Sequence, residues 1–344
     1  VTLTSATDSK AYDGDPLTNK KVTESKGTDE GFVEGEGASY DVTGSQTEVG
    51  TSDNTFTYTL NTNTKKENYT IAKVEGKLTV TPDENTVVVT IVGNTVSDTY
   101  DGTEKTAAGY KVTDISNTNK KKYTEADIQF SGKAEVKKTD AGSYEMSLKE
   151  TDFTNGNKNF KNVKFVVKDG KLDIAKREVT MTSASDKKVY DGKALTNKNV
   201  TDEGFVEGEG ASYDVTGTQT AVGSSKNKFD YKLNDGTKAG NYTITKVEGT
   251  LVVTPQSITP DPDPENPDSY KGITINDPSD HIYDGEAHKW APEVKDKDGN
   301  VLKEGTDYEV SYDKDNFTNV STIKVTIKGK GNYTGTVTKE YKIT

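Results

Sequence analysis

Apolar and polar residues alternate in short runs along most of the chain. Phe56-Thr57-Tyr58-Thr59-Leu60 and Phe229-Asp230-Tyr231-Lys232-Leu233 show a period of two. Lys77-Leu78-Thr79-Val80, Val163-Lys164-Phe165-Val166 and Ile323-Lys324-Val325-Thr326-Ile327 repeat it. That period sends successive side chains to opposite faces of a strand. No long run carries a helical stripe. The best helical candidate is Thr124-Glu125-Ala126-Asp127-Ile128, a single turn that Thr124 would cap. The chain is therefore expected to be all-β. About seven short strands fit each stretch of roughly 90 residues, the content of a small antiparallel sandwich. A β-grasp-like sheet would call for a clear helix.

The alternating runs sit inside a repeat. Tyr-Asp-Gly occurs four times, beginning at Tyr12, Tyr100, Tyr190 and Tyr283, at spacings of 88, 90 and 93 residues. A closing marker follows each copy: Asn68-Tyr69, Asn159-Phe160, Asn241-Tyr242 and Asn332-Tyr333. Between them lies a variable third marker, Glu48-Val49-Gly50, Asp140-Ala141-Gly142, Ala221-Val222-Gly223 and Asn319-Val320-Ser321. Three markers in one order, four times over, define a tandem array. Gly31–Gly44 and Gly204–Gly217 are identical, and the first repeat carries five extra residues around Glu24–Thr28. The order is thus A-B-A′-C, with repeats over 1–82, 83–176, 177–255 and 270–344.

The expected joints differ. The first two repeats hand over within a few residues, at Pro82 and at Lys176-Arg177, which restricts rotation. From Gln256 to Ser269 the chain instead carries Pro260, Pro262, Pro264 and Pro267 interleaved with acids. Such a stretch favours extended polyproline II, so 256–269 is expected to be a semi-rigid spacer.

Composition narrows the function. Hydrophobic residues make up 30 %, and 31 glycines add about 9 %, below the roughly 45–50 % usual in globular chains. Several small cores fit this better than one large core. There are 51 threonines among 344 residues, which favours strands with one solvated face. The net charge of −12 disfavours binding to nucleic acid or anionic lipid, and no apolar run is long enough to span a bilayer. Cysteine is absent, which removes disulfides, thiolate nucleophiles and Cys-ligated zinc. The opening at Val1, inside a pattern, is what a fragment of a longer protein would give.

Each cluster with chemical capacity has a plainer structural reading. Asp-Gly in Tyr-Asp-Gly suits the positive φ angles of a tight hairpin turn, with the tyrosine ring packed under it. Glu34 with Glu36, and Glu207 with Glu209, would share a face of an extended ribbon; a solvated acidic loop is expected rather than a glycosidase pair. His281 and His288, near Asp280 and Asp284, are two imidazoles where zinc needs three or four converging ligands, so surface histidines are expected. Asp83 and Glu84 after Pro82, and the acidic spacer after Pro255, offer hard oxygen ligands for calcium at the joints. Asn68, Asn241 and Asn332 would serve a Lys–Asn isopeptide bond if buried beside a lysine and a carboxylate. Trp290, the one tryptophan, is expected in the core; exposed, it would be a sugar platform.

The Tyr-Asp-Gly openings, Asp140-Ala141-Gly142-Ser143-Tyr144, and the closing Asn-Tyr-Thr followed by Gly-x-Leu-x-Val resemble MBG/YDG-type repeats, mostly-β, glycine-rich modules of bacterial surface proteins. The last repeat resembles a bacterial Ig-like module through Gly305-Thr306-Asp307-Tyr308 and Gly329-Lys330-Gly331-Asn332-Tyr333-Thr334-Gly335. The second repeat departs from the pattern with Asn159-Phe160-Lys161. The resemblance implies a tandem array of four small antiparallel β-sandwich (Ig-like) domains in an elongated arrangement. It further implies a stalk of an extracellular adhesin-like protein, monomeric and non-enzymatic, with signal peptide and anchor outside this segment and no cofactor beyond calcium. The competing expectation is a module that binds glycan or host protein through the last repeat or the Gly31–Gly44 ribbon.

Overall fold

The computed structural model describes residues 1–26, 29–116, 123–259 and 272–344. The chain is all-β, and it divides into two compact units, Val1–Ala175 and Lys176–Thr344.

In the first unit the strand order of the leading half recurs in the second half. Thr2–Ser5 lies between Val22–Glu24 and Ala72–Val74, and Lys77–Thr81 lies between Asp8–Ala11 and Gly50–Asp53. Ala38–Val42 and Phe56–Leu60 form a separate antiparallel pair. Correspondingly, Asp83–Gly93 lies between Tyr110–Ser116 and Phe160–Lys168, and Lys171–Ala175 between Thr95–Thr99 and Gly142–Glu145. The sheets are mixed rather than purely antiparallel. Thr2–Ser5 runs parallel to Ala72–Val74, and Asp8–Ala11 runs parallel to Lys77–Thr81.

The parallel pairs arise because two stretches of chain change sheets side by side. Thr2–Ala11 bends at Ala6-Thr7, while Ala72–Thr81 bends beside it at Gly76. A Cβ on Gly76 would collide with the Ser5 and Ala6 carbonyls, so only glycine allows this approach. The buried Ser5 hydroxyl donates to Asn54 O at 2.6 Å and accepts the Gly76 N–H at 2.9 Å. Asn54 donates to Ala6 O and Asn19 O, both at 2.9 Å, pinning the bend to the neighbouring loop. Inward positions of the alternating strands form the small core of Leu3, Val42 and Phe56. Along Asp83–Gly93 the buried positions are Asp83, Val87, Val89, Ile91 and Gly93, alternating from Val87 onward.

The second unit opens on the same plan. Arg177–Ser183 lies between Val200–Glu203 and Tyr242–Val247, Thr250–Thr254 between Asp186–Val189 and Gly223–Lys226, and Ser183, Asn227 and Gly249 rebuild the bend. Its last part is wired differently. Ser321–Gly329 lies between Tyr308–Tyr312 and Thr336–Ile343 in an antiparallel sheet. Gln256–Ser257 pairs with Tyr333–Thr334, and Ile258 is buried in the core with Ile273, Val294 and Ile327. The first residues of the expected spacer are therefore strand and core. They follow Pro255 as Asp83 follows Pro82. The expected polyproline segment, 260–269, lies outside the described residues.

The expected turn at Thr124 forms as a three-residue 3₁₀ helix, Glu125–Asp127. Thr124 sits at its N-cap in a capping box with Asp127, whose carboxylate accepts the Thr124 N–H at 2.8 Å.

Candidate interaction surface at the repeat ends

All four repeats finish in the same way. The residue at the exit of the last strand accepts the backbone N–H of the Tyr-Asp-Gly tyrosine: Tyr12 to Thr81 at 2.8 Å, Tyr100 to Ala175 at 2.9 Å, Tyr190 to Thr254 at 2.8 Å and Tyr283 to Thr344 at 2.9 Å. On its other side that strand pairs with the third marker, through Gly50↔Val80, Gly142↔Ile174, Gly223↔Val253 and Ser321↔Ile343. Val49, Ala141, Val222 and Val320 are thereby set across from the exit residue.

The Tyr-Asp-Gly turn itself differs from the expected hairpin. Only its glycine has positive φ, at 84°, 81°, 78° and 86° for Gly14, Gly102, Gly192 and Gly285. The aspartate instead accepts the N–H two residues on, from Asp15, Thr103, Lys193 and Glu286, which makes an Asx turn. A basic side chain reaches each aspartate: Lys10 to Asp13 at 2.7 Å, Lys105 to Asp101 at 2.6 Å and Lys188 to Asp191 at 2.6 Å. His288 does so in the last repeat, 2.9 Å from Asp284. The Lys10 hydrogen bond holds the Asp13 carboxyl below its usual range, and Lys105 does the same for Asp101.

In the first unit this end is covered by the closing marker of the following repeat. Val49 N–H donates to Asn159 Oδ1 at 2.9 Å, and Asn159 Nδ2 donates to the Glu48 carboxylate. The Asn159 backbone carbonyl accepts the Asp83 N–H at 2.8 Å. Tyr12 meets Phe160 edge-on, with centroids 5.6 Å apart at 75°, and Tyr123 packs against the same ring at 5.2 Å. Tyr12 is 8 % and Phe160 2 % exposed. The tyrosine ring thus packs on the next repeat, not under its own turn. Burial, with the Glu48 charge second, raises the Tyr12 pKa.

The second unit builds the same joint. Val222 N–H donates to Asn332 Oδ1 at 2.8 Å, and the Asn332 carbonyl accepts the Gln256 N–H at 3.0 Å. Tyr190 meets Tyr333 edge-on at 5.6 Å and 81°. Burial, with Tyr190 second, pushes the Tyr333 pKa up to about 12. Each joint thus joins one backbone–side-chain hydrogen bond to one edge-on aromatic pair, contributions of about 1 kcal/mol apiece. The recurring markers were legible in sequence. Their pairing was not, because the bonded residues lie 110 positions apart in both units.

The other candidates are dispersed. Glu34-Gly35 is a turn rather than an extended ribbon, with Gly35 at φ 84°. Glu36 accepts the Tyr69 hydroxyl at 2.5 Å and Glu209 the Tyr242 hydroxyl at 2.8 Å, so neither is a loose acid, while Glu34 and Glu207 are exposed. His281 and His288 stack at 4.2 Å and are half-buried; Asp280 is turned to the Lys342 N–H. Asp83 accepts from the Asn85 N–H and side chain, and Glu84 pairs with Lys161 at 2.7 Å. Among the described residues, no group of three or more His, Asp or Glu side chains converges as a metal site. Asn68 is exposed, Asn241 is buried, and Asn332 spends its side-chain oxygen on Val222. Trp290 is half-buried between two core clusters, and its buried indole N–H has no hydrogen-bond partner among the described residues. No helix in the described residues is long and apolar enough to cross a membrane.

The MBG domain family model matches residues 87–176, so that segment is an MBG-type repeat. No curated protein matches the chain. Among solved structures, Drosophila N-cadherin EC1-4 is similar at 12 % identity over 99 % of each chain, with a TM-score of 0.22, too low to bear on function.

Proposed function

We propose that this chain is a spacer segment of an extracellular bacterial surface protein. In this reading it is a non-catalytic row of four modules, the last taking in Gln256–Ile258, that holds another domain away from the cell. The observation that carries the reading is the repeated joint. Both units place an Asn–aromatic corner on the end formed by the tyrosine and the third marker, with the same hydrogen bond and the same ring geometry. An array whose neighbours are locked by short joints transmits position along its length, and its acidic, threonine-rich faces keep it soluble. Calcium has no evident task at the first joint, where Asp83 and Glu84 are already engaged by Asn85 and Lys161.

Small-angle X-ray scattering in calcium and then in chelator tests this. The expected result is a thin, extended particle with the same dimensions in both. A compact particle would overturn the spacer, and shortening on chelation would restore calcium to the joints.

A further inference from the structure

Asp-Gly occurs seven times in the chain. Such a pair can close on itself: the glycine nitrogen attacks the aspartate Cγ, a C–O bond breaks, and water leaves. The resulting five-membered imide takes up water at either carbonyl. One opening returns aspartate; the other leaves isoaspartate, in which the main chain runs through Cγ. One water goes out and one comes in. Closure needs a protonated carboxyl, since the oxygen leaves as water, and a glycine N–H that is free to attack.

Six of the seven pairs are restrained. Each Tyr-Asp-Gly aspartate accepts the N–H two residues on and a basic side chain, which together hold it as a carboxylate. Asp169 accepts the Ser147, Leu148 and Gly170 N–H groups, and a Cβ on Gly170 would stand 2.5 Å from Asn94 O, so the backbone there is wedged. Lys297 grips both oxygens of Asp298, at 2.7 and 2.8 Å, and the Gly299 N–H already donates to Asp296 O at 3.0 Å.

Asp235 has none of these restraints. It is exposed, and among the described residues neither its carboxylate nor the Gly236 N–H has a partner. Nothing stands within 4 Å of the place a Cβ on Gly236 would take, which leaves room for the ring. The pair fills the centre of a turn that the Thr237 N–H closes on Asn234 O at 3.0 Å. Thr237 Oγ1 in turn accepts the Gly210 N–H at 3.0 Å and fastens the turn to the Gly204–Gly217 ribbon. In the first repeat the same turn, fastened by Thr64 to Gly37 at 2.9 Å, carries Thr62-Asn63 in its place.

We propose that Asp235 is a site of spontaneous backbone modification, isomerising through the Gly236 imide while the other six pairs stay intact, and that the added methylene unfastens Thr237 from Gly210. Two ribbons of identical sequence thus age differently. The test keeps the intact chain for weeks in mildly acidic buffer, then denatures it and digests it with trypsin. The peptide Leu233–Lys238 is expected to split into two peaks of equal mass, the new one giving the electron-transfer fragments of isoaspartate. Peptides holding the other six pairs should stay single. In ¹⁵N spectra the Gly210 amide should shift in proportion to the new peak and the Gly37 amide should not. In Asp235→Thr, which borrows the residue of the first repeat, both amides should hold their places. A Leu233–Lys238 peptide that stays single overturns the proposal, as does splitting of the other six at the same rate. A Gly210 amide that stays fixed while isoaspartate accumulates overturns its second half.

Discussion

The joint in the first unit and the joint in the second differ in two places. Glu48 precedes Val49 and takes the second side-chain hydrogen bond of Asn159; Ala221 precedes Val222 and offers Asn332 nothing. The aromatic partner changes too, from Phe160 to Tyr333. What both retain is the valine N–H on the asparagine oxygen and a ring set edge-on to the tyrosine. That pair is the minimum the joint needs. The carboxylate is an addition, and the hydroxyl of Tyr333 is tolerated.

The largest blow to this comparison is removal of a ring. Phe160→Ala takes away a side chain that packs on Tyr12 and Tyr123, and about 3–5 kcal/mol of stability should go with it. Denaturant unfolding of the intact chain should then separate into two transitions, while Tyr333→Phe leaves the profile unchanged. If Phe160→Ala unfolds like the unaltered chain, the ring is not part of what holds the joint.

Next comes alkali, which reaches the second joint through Tyr333. The Tyr333 pKa is raised to about 12 by burial, against about 10 in an unfolded chain. Between these values the unfolded state loses its proton first, so the stability Tyr333 confers is complete below pH 10 and is lost as pH rises toward 12. Phenolate absorbance should show a smaller late titration in Tyr333→Phe than in the unaltered chain, because Tyr123, also raised to about 12 by burial, titrates there in both.

The smallest effects sharpen the role of Glu48. Asn159→Ala should cost about 1–2 kcal/mol, and Asn332→Ala about half of that, because it loses one side-chain bond instead of two. Glu48→Ala should bring the first joint to the level of the second. Equal losses for the two asparagines, measured by thermal unfolding, would remove the carboxylate from the account.

The period of the array, the all-β class and the inward residues Leu78 and Val80 of Lys77–Thr81 were legible because they depend on local alternation and on recurrence. The markers were legible as markers, but their purpose was not. A sequence shows that Asn159 and Val49 recur, not that they touch. The parallel pairs were hidden for a similar reason, since they depend on two distant stretches bending together at Gly76. Glu34 and Glu36 looked extended until the turn at Gly35 was on view, and Gln256–Ile258 looked like spacer because it adjoins prolines. Trp290 was placed in the core on burial habit and proves half-buried, covering two clusters at once.

The bend that lets two strands change sheets together has a consequence for how a repeat meets tension. Asp8–Ala11, near the entry, and Lys77–Thr81, at the exit, run parallel with four residues in register. In the second repeat, the entry strand Asp83–Gly93 is parallel to Phe160–Lys168. When the two ends of a repeat are drawn apart, parallel neighbours slide along each other, and every bond of the ladder stretches at once. An antiparallel hairpin pulled at its open end peels one rung at a time. The glycine that permits the bend therefore also decides that these ladders resist in shear.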